Sequence, residues 1–289
     1  MSKFKYSLEE GSKKFTCPSC NKNNRYVRYI NHETNEYLDL QFGRCDREQS
    51  CGYHVNPYHD IKSDIIYTPT WTKPVAFSSI DTKTFKATLN HYQQNPLITY
   101  LNSKYHNDKV LEVAQKYHIG THSKYNGSVI FWQIDDTNTV RSGKIMGYDT
   151  ITGKRIKSEN SNPDISYVHA ELKIQDFNFK QCLYGAHLIK DEVDVYGLVE
   201  SEKTALIMSL ETPEITWLST NGKGGFKEEM LLPLKSKSII AFPDKGCYSD
   251  WNSKGISLSS MGYNIKVSNI LEDMNVKEGD DLADLYSTH

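Results

Sequence analysis

Asp194-Val195-Tyr196-Gly197-Leu198-Val199-Glu200-Ser201-Glu202-Lys203-Thr204-Ala205 decides the fold: a short apolar strand carries a carboxylate to its carboxyl end and runs straight into a helix. Ligands of open α/β sheets gather outside the carboxyl ends of the strands, so Glu200 stands where a ligand or metal would arrive. A second strand, Ser238-Ile239-Ile240-Ala241-Phe242-Pro243, repeats the design and ends on Asp244. Two acids at two strand ends point to one divalent-metal site.

Outward from this pair, strands and helices alternate to the end of the chain. The pattern predicts strands at 194–200, 215–219, 238–243 and 263–268 and helices at 201–210, 226–234 and 249–261. Strands separated by single helices argue for a parallel sheet with helices on both faces. Beyond the last strand, Gly279-Asp280-Asp281-Leu282-Ala283-Asp284 adds a third acidic group. Mg²⁺ or Mn²⁺ takes hard oxygen ligands, and a few carboxylates on separate strand ends suffice when substrate phosphate completes the shell. Ser219-Thr220-Asn221-Gly222-Lys223-Gly224-Gly225 is a glycine-rich loop whose amides could cradle phosphate, though it does not match a P-loop.

Residues 1–60 hold four of the six cysteines. A module this small has little core, and metal or disulfides usually stabilise such a unit. Cys17-Pro18-Ser19-Cys20, then Cys45 and Cys51, give two short loops that can each place two sulfurs about 2.3 Å from one zinc ion. His54 is the rival to Cys45 as the fourth ligand. Lys13, Lys14, Lys22, Arg25, Arg28, Arg44 and Arg47, interleaved with Tyr26 and Tyr29, suit phosphate contact and base stacking. Residues 61–79 read as a linker containing Pro69 and Pro74.

Residues 80–190 are mixed. Phe85 to Leu101 has helical spacing broken at Pro96, and Asp108 to Tyr117 reads as a helix with Asp108 as N-cap. Ser128 to Ile134 and Thr139 to Tyr148 read as a hairpin turning at Asp135-Asp136-Thr137-Asn138.

Charge and hydropathy narrow the partners. The net charge is only −2, but Arg141 to Lys157 carries five cations against one acid, and Glu272 to Asp284 six acids against one lysine. A basic middle beside an acidic end suits a polyanion held near bound cations. Nothing resembles a membrane span or a secretory signal, so the expectation is a cytoplasmic protein in a reducing compartment, with no membrane partner.

The residues also resemble a known arrangement. Leu198-Val199-Glu200-Ser201-Glu202-Lys203-Thr204-Ala205 is similar to the glutamate motif of the toprim domain shared by bacterial primases, topoisomerases and some nucleases. Phe242-Pro243-Asp244-Lys245-Gly246 is similar to its Asp-x-Asp motif. Cys17, Cys20, Cys45 and Cys51 resemble the zinc ribbon that in primases helps contact template. Val129 to Trp132 and Val140 to Asp149 resemble strands of the basic catalytic domain. Phe179-Lys180-Gln181-Cys182-Leu183-Tyr184-Gly185 resembles the Phe-x-Lys and Leu-Tyr-Gly motif just before toprim. Taken whole, the chain resembles the compact zinc-finger and toprim primases of bacterial mobile elements and phages, particularly of the Bacteroidetes.

The resemblance implies an α/β and α+β multidomain protein. Its parts would be a zinc ribbon at 1–60, a linker at 61–79, a primase-like basic α+β domain at 80–190 and a Rossmann-like toprim domain at 191–289. It implies that Glu200, Asp244, Asp281 and Asp284, with Lys180, form a catalytic site. Glu200, Asp244 and Asp281 would hold Mg²⁺ or Mn²⁺, and Arg141, Lys144, Lys203 and Lys223 would contact nucleic acid or nucleotide. The implied activity is primer synthesis from nucleoside triphosphates on single-stranded DNA, with unwinding left to a separate helicase because the chain contains no GxxxxGK[ST] motif. The chain departs from the pattern at Gly246, where the second aspartate is expected; Asp250 is a candidate substitute, and Asp280 an alternative to Asp281. Two other readings therefore stand beside primer synthesis: a toprim nuclease using the same carboxylates, and a single-strand-binding accessory protein with a degraded site.

Overall fold

The structure is a computed structural model that describes residues 4–47, 51–58, 76–123, 127–156 and 165–286. The chain divides into two compact units, Met1–Thr72 and Lys73–His289. Most of the expected linker, 61–75, lies outside the described residues.

In the first unit β1 (Tyr6–Leu8), β2 (Tyr26–Asn31), β3 (Glu36–Tyr37), β4 (Gly43–Cys45) and β5 (His54–Val55) form an antiparallel sheet in the order β1-β2-β4-β5, with β3 also on β2. Its small core is Cys17, Tyr26 and Cys45, with Phe15 and Tyr53 packed against it.

The second unit begins with α1 (Thr82–Ala87), capped by Asp81, and α2 (Pro96–Asn102). The expected helix 85–101 is thus two helices. Pro96 starts the second, because a residue with no N–H and a fixed φ fits the first helical position. Asn95 caps that helix by accepting from the N–H groups of Leu97 and Ile98. The next helix, α3 (Asn107–Lys116), has His106 as N-cap, not Asp108. Asp108 lies in the first turn, where its charge still suits the helix dipole.

β6 (Gly120–Thr121), β7 (Val129–Ile134), β8 (Val140–Met146) and β9 (Ser166–Tyr167) make an antiparallel sheet in chain order. Asp135 shapes the β7–β8 turn by accepting from the N–H groups of Thr137 and Thr139. A short helix, α4 (Val168–Glu171), follows.

The remaining elements are β10 (Val195–Val199), α5 (Glu202–Glu211), β11 (Thr216–Ser219), α6 (Glu228–Leu231), β12 (Ser238–Phe242), α7 (Tyr248–Ser260), β13 (Asn264–Val267) and α8 (Ile270–Asp273). The four strands form an all-parallel sheet in the order β11-β10-β12-β13. Tyr196 and Leu198 face one core with Leu218, Phe226, Met230 and Trp251 of the loops and helices α6 and α7. Val199 and Trp217 face another with α5. That second core also holds Leu97, Val110, Tyr117, Phe131 and Met146, so the antiparallel sheet and helices α2 and α3 share it with the parallel sheet.

Two connections tie the halves together. Tyr184 pairs with Ser219 at the edge of the parallel sheet through both backbone groups (2.9 and 3.1 Å), and its ring stacks on Tyr117. Tyr117 in turn donates to the Trp217 carbonyl at 2.7 Å.

The other connection is an ion pair. Lys144 of β8 reaches Glu202 of α5 at 2.9 and 3.2 Å, and both side chains are under a tenth exposed. A lone charge at this depth is costly, so the pair holds only as a pair. Glu202→Ala should lower unfolding stability by about 3–5 kcal/mol, whereas joint replacement by Lys144→Met and Glu202→Leu should recover most of that loss in urea titrations.

Candidate metal centres

The first centre is built by two turns. Cys17 and Cys20 flank the turn before β2, Cys45 ends β4, and Cys51 precedes β5. All four sulfurs lie within 4.8 Å of one another, the only group of three or more cysteine, histidine or acidic ligand atoms so gathered among the described residues. Cys17 and Cys51 are 3.8 Å apart, Cys20 and Cys45 4.0 Å. Such a set of soft thiol donors fits tetrahedral zinc. His54 points elsewhere: its Nε2 lies 3.0 Å from the Tyr29 hydroxyl.

Beside the thiols, Arg28 lies over Tyr37 at 4.9 Å and Phe15 at 5.4 Å, and Lys13 lies over the same two rings.

The second centre lies at the carboxyl edge of the parallel sheet. Val199 is in register with Ser219 and Phe242, so Glu200 and Asp244 emerge at neighbouring strand ends. Asp281 starts the 3₁₀ turn Leu282–Leu285 and is anchored from α5, where the Thr204 hydroxyl donates to it at 2.6 Å. Asp284 accepts from the Asp281 N–H at 2.9 Å and completes a capping box. Asp280 turns the other way, accepting from the Lys277 N–H at 2.8 Å.

These carboxyls act on one another. Burial pushes Asp244 up to about 8, and the charges of Glu200, Asp281 and Asp284 push in the same direction. Burial also raises Glu200 and Asp281. Lys223 and Lys254 oppose it at Glu200; the Thr204 hydrogen bond and Lys203 oppose it at Asp281. One oxygen of Glu200, Oε2, is buried with no hydrogen-bond partner among the described residues. The acids are spaced more widely than the thiols, as suits ions that keep water and take substrate oxygens. An unpartnered carboxylate oxygen within mutually repelling acids is a donor set that fits Mg²⁺ or Mn²⁺.

The cations expected to bind phosphate are distributed differently. Lys144 is inside, on Glu202, and Arg141 donates to Asp135 at 2.7 Å. Lys180 lies over the Phe77 ring and lines a cleft with Asp135, Asp136, Gln181 and Glu229. Lys203 reaches the Gly153 carbonyl at 3.3 Å. Lys223 does lie beside Glu200, but the glycine-rich loop is no open cradle. Its Thr220, Gly222 and Gly225 amides already donate to Val199, Glu200 and Gly222. Asp250 sits in the first turn of α7, exposed and paired with Lys254 at 2.9 Å.

Thr204 and Lys254 were missed from the sequence. Thr204 sits four residues after Glu200, one turn into α5, and that spacing is the signal that could have found it. Lys254 gives no such signal.

Residues 95–245 match the family described as a domain of unknown function, DUF6371. The chain belongs to this family. Residues 4–65 of this DUF6371 protein match a zinc beta-ribbon finger. No curated protein matches. Several solved structures are similar to it. The primase fragment of the bacteriophage T7 primase-helicase protein is 12% identical, with 95% of this chain and 93% of that one covered and a TM-score of 0.42. The RNA polymerase domain of Mycobacterium tuberculosis primase DnaG is 11% identical, with 71% and 77% covered and a TM-score of 0.48. The E. coli primase catalytic core is 14% identical, with 70% and 73% covered and a TM-score of 0.43. No helix among the described residues is long and apolar enough to cross a membrane.

Cys45→Ser should release zinc, measured by metal analysis of the purified protein, whereas His54→Ala should retain it. Stability should also depend on pH through Asp244. Its carboxyl is raised from an ordinary 3.8 to about 8 in the folded chain, so the stability it contributes is full below pH 3.8 and is lost as pH rises towards 8. Without divalent ions, unfolding free energy should fall across this window, and Asp244→Asn should flatten the fall in denaturant titrations at stepped pH.

Proposed function

We propose that the protein is a zinc-ribbon and toprim primase of the kind carried by mobile elements and phages, which joins nucleotides on a single-stranded DNA template. The observation that carries this reading is the meeting of Glu200, Asp244 and Asp281 at one sheet edge, with Glu200 Oε2 unpartnered and Asp244 pushed up by burial and by its acidic neighbours. Bound Mg²⁺ or Mn²⁺ would stabilise the attacking 3′-hydroxyl and the departing pyrophosphate.

The protein's own groups hold and orient. Thr204 and Asp284 fix Asp281. Lys223 and Lys254 put positive charge beside Glu200, where triphosphate oxygens would be positioned for in-line transfer. With Lys144 and Arg141 held by acids, phosphate contact falls to these two lysines and Lys203, and Lys180 is left for the template strand. In the first unit Arg28 and Lys13, against Phe15 and Tyr37, offer cations and rings to single-stranded template. Strand separation belongs to a separate helicase. The division into zinc ribbon (1–60), linker (61–79), basic domain (80–190) and toprim domain (191–289) is part of the same proposal.

One observation favours a second reading. Gly246 leaves a single aspartate in the second acidic motif, which suits a single-strand DNA-binding accessory protein that performs no chemistry.

Primer synthesis on single-stranded DNA with nucleoside triphosphates and Mg²⁺ or Mn²⁺ decides between them. The wild type should form product, and Glu200→Gln should lower the rate by on the order of 100-fold or more. No wild-type product, or an undiminished rate in the variant, would sink the primase reading; DNA binding without product supports the accessory one.

A further inference from the structure

The turn that follows β8, Asp149 to Ile156, is tightly built and still exposes its apolar side chains. Asp149 accepts from the N–H groups of Ile151 and Thr152 at 3.1 and 2.7 Å and from the Thr152 hydroxyl at 2.8 Å. Backbone bonds close the turn: the N–H groups of Asp149, Gly153 and Ile156 donate to the carbonyls of Lys154, Asp149 and Gly147 at 2.9, 3.0 and 3.0 Å. Gly153 has φ +61° and rests on the ring of Tyr100, since a Cβ there would lie 2.4 Å from that ring. On this fixed base Ile151 is 81% exposed, the most of any exposed large apolar side chain among the described residues, and Ile156 is 56% exposed. Lys154 and Arg155 are exposed beside them and have no ion pair among the described residues. The turn's one acid, Asp149, is engaged inside it.

This turn stands beside the acid site. The Lys203 ammonium donates to the Gly153 carbonyl at 3.3 Å, and the same charge opposes the raising of Asp281. Tyr148, at the foot of the turn, links them again: burial and the charge of Glu202 raise its hydroxyl, Arg155 lowers it and Asp281 raises it. Unpaired cations attract an anion, and an isoleucine held out among them has room for an apolar surface. A nucleic-acid strand carries both, with charged phosphates along it and sugar and base faces between them.

We propose that the 149–156 turn holds the nucleic-acid strand engaged at the acid site, with Lys154 and Arg155 on its phosphates and Ile151 against a sugar or an unstacked base. The inference rests on the function proposed above and names a surface for the strand of that same site. Lys203 joins the turn to Asp281, so that strand and acids share one rigid edge.

Binding of a fluorescein-labelled oligothymidylate to the full chain, read by anisotropy over a series of salt concentrations, tests this without any activity measurement. A phosphate contact on a single strand contributes about 0.7 to the slope of log affinity against log salt, so Lys154→Ala with Arg155→Ala should lower the slope by about 1.4. Ile151→Ser, an exposed change, should weaken binding on the order of 5-fold at an unchanged slope, because an apolar contact releases no counterions. Lys86→Ala with Lys109→Ala, exposed lysines of α1 and α3, should leave both quantities as in the wild type. Wild-type affinity and slope in the Lys154, Arg155 and Ile151 variants, or an equal loss of slope in the Lys86 and Lys109 variant, would overturn the role of the turn; primer synthesis by the wild type and its loss in Glu200→Gln would then leave the primase reading standing. No binding of the oligonucleotide by the wild type would overturn both.

Discussion

Helix α5 is enclosed nearly all round, and the arrangement of the second unit follows from that enclosure. Seven of its ten residues are buried, Glu202 among them. A helix with no solvent face must be covered on every side, here by the parallel sheet, by α3 and by the antiparallel sheet. A carboxylate inside that cover is tolerated because Lys144 reaches it from β8, so the one charged pair also sets how the two sheets meet. Glu200 leaves its strand at the start of this helix, and Thr204 rises one turn later to take Asp281.

The acid site is a local disagreement with stability. Burial raises the carboxyls at this sheet edge, and their mutual repulsion raises them further. Such an arrangement is unfavourable for the empty fold and favourable for binding a small divalent cation, whose charge offsets the repulsion among the carboxylates. The loop chemistry around it serves rigidity: the capping box at Asp281 and the internally bonded turn after β11 leave few backbone groups unengaged.

The parallel half was legible because its strands are short apolar runs separated by amphipathic or capped helical segments, and the observed bounds differ from the expected ones by a residue or so, apart from the short helix α6. Proline in helical spacing reads as a break, but Pro96 follows Asn95, a strong cap, and starts a helix. Asp108 has the residue type of a cap, yet the cap is His106, two residues earlier, since cap geometry depends on φ and ψ that composition does not reveal. The basic stretch around Arg141 and Lys144 suggested a phosphate-binding face, but alternation along β8 turned both cations towards acids of this same unit.

What the sequence determined by itself is local and periodic: the alternation that makes the parallel sheet, the acids at two strand ends, and the cysteine spacing that gathers four sulfurs. These follow from side-chain period and from short loops whose reach is limited by bond geometry. Tertiary structure alone decided which charges meet. The partners of Lys144 and Asp281 lie far along the chain, and contact at that range depends on how the sheets and helices pack, which no local pattern encodes. Asp281 is the clearest case, since its carboxyl is held by the hydroxyl of Thr204, seventy-seven residues earlier in the chain.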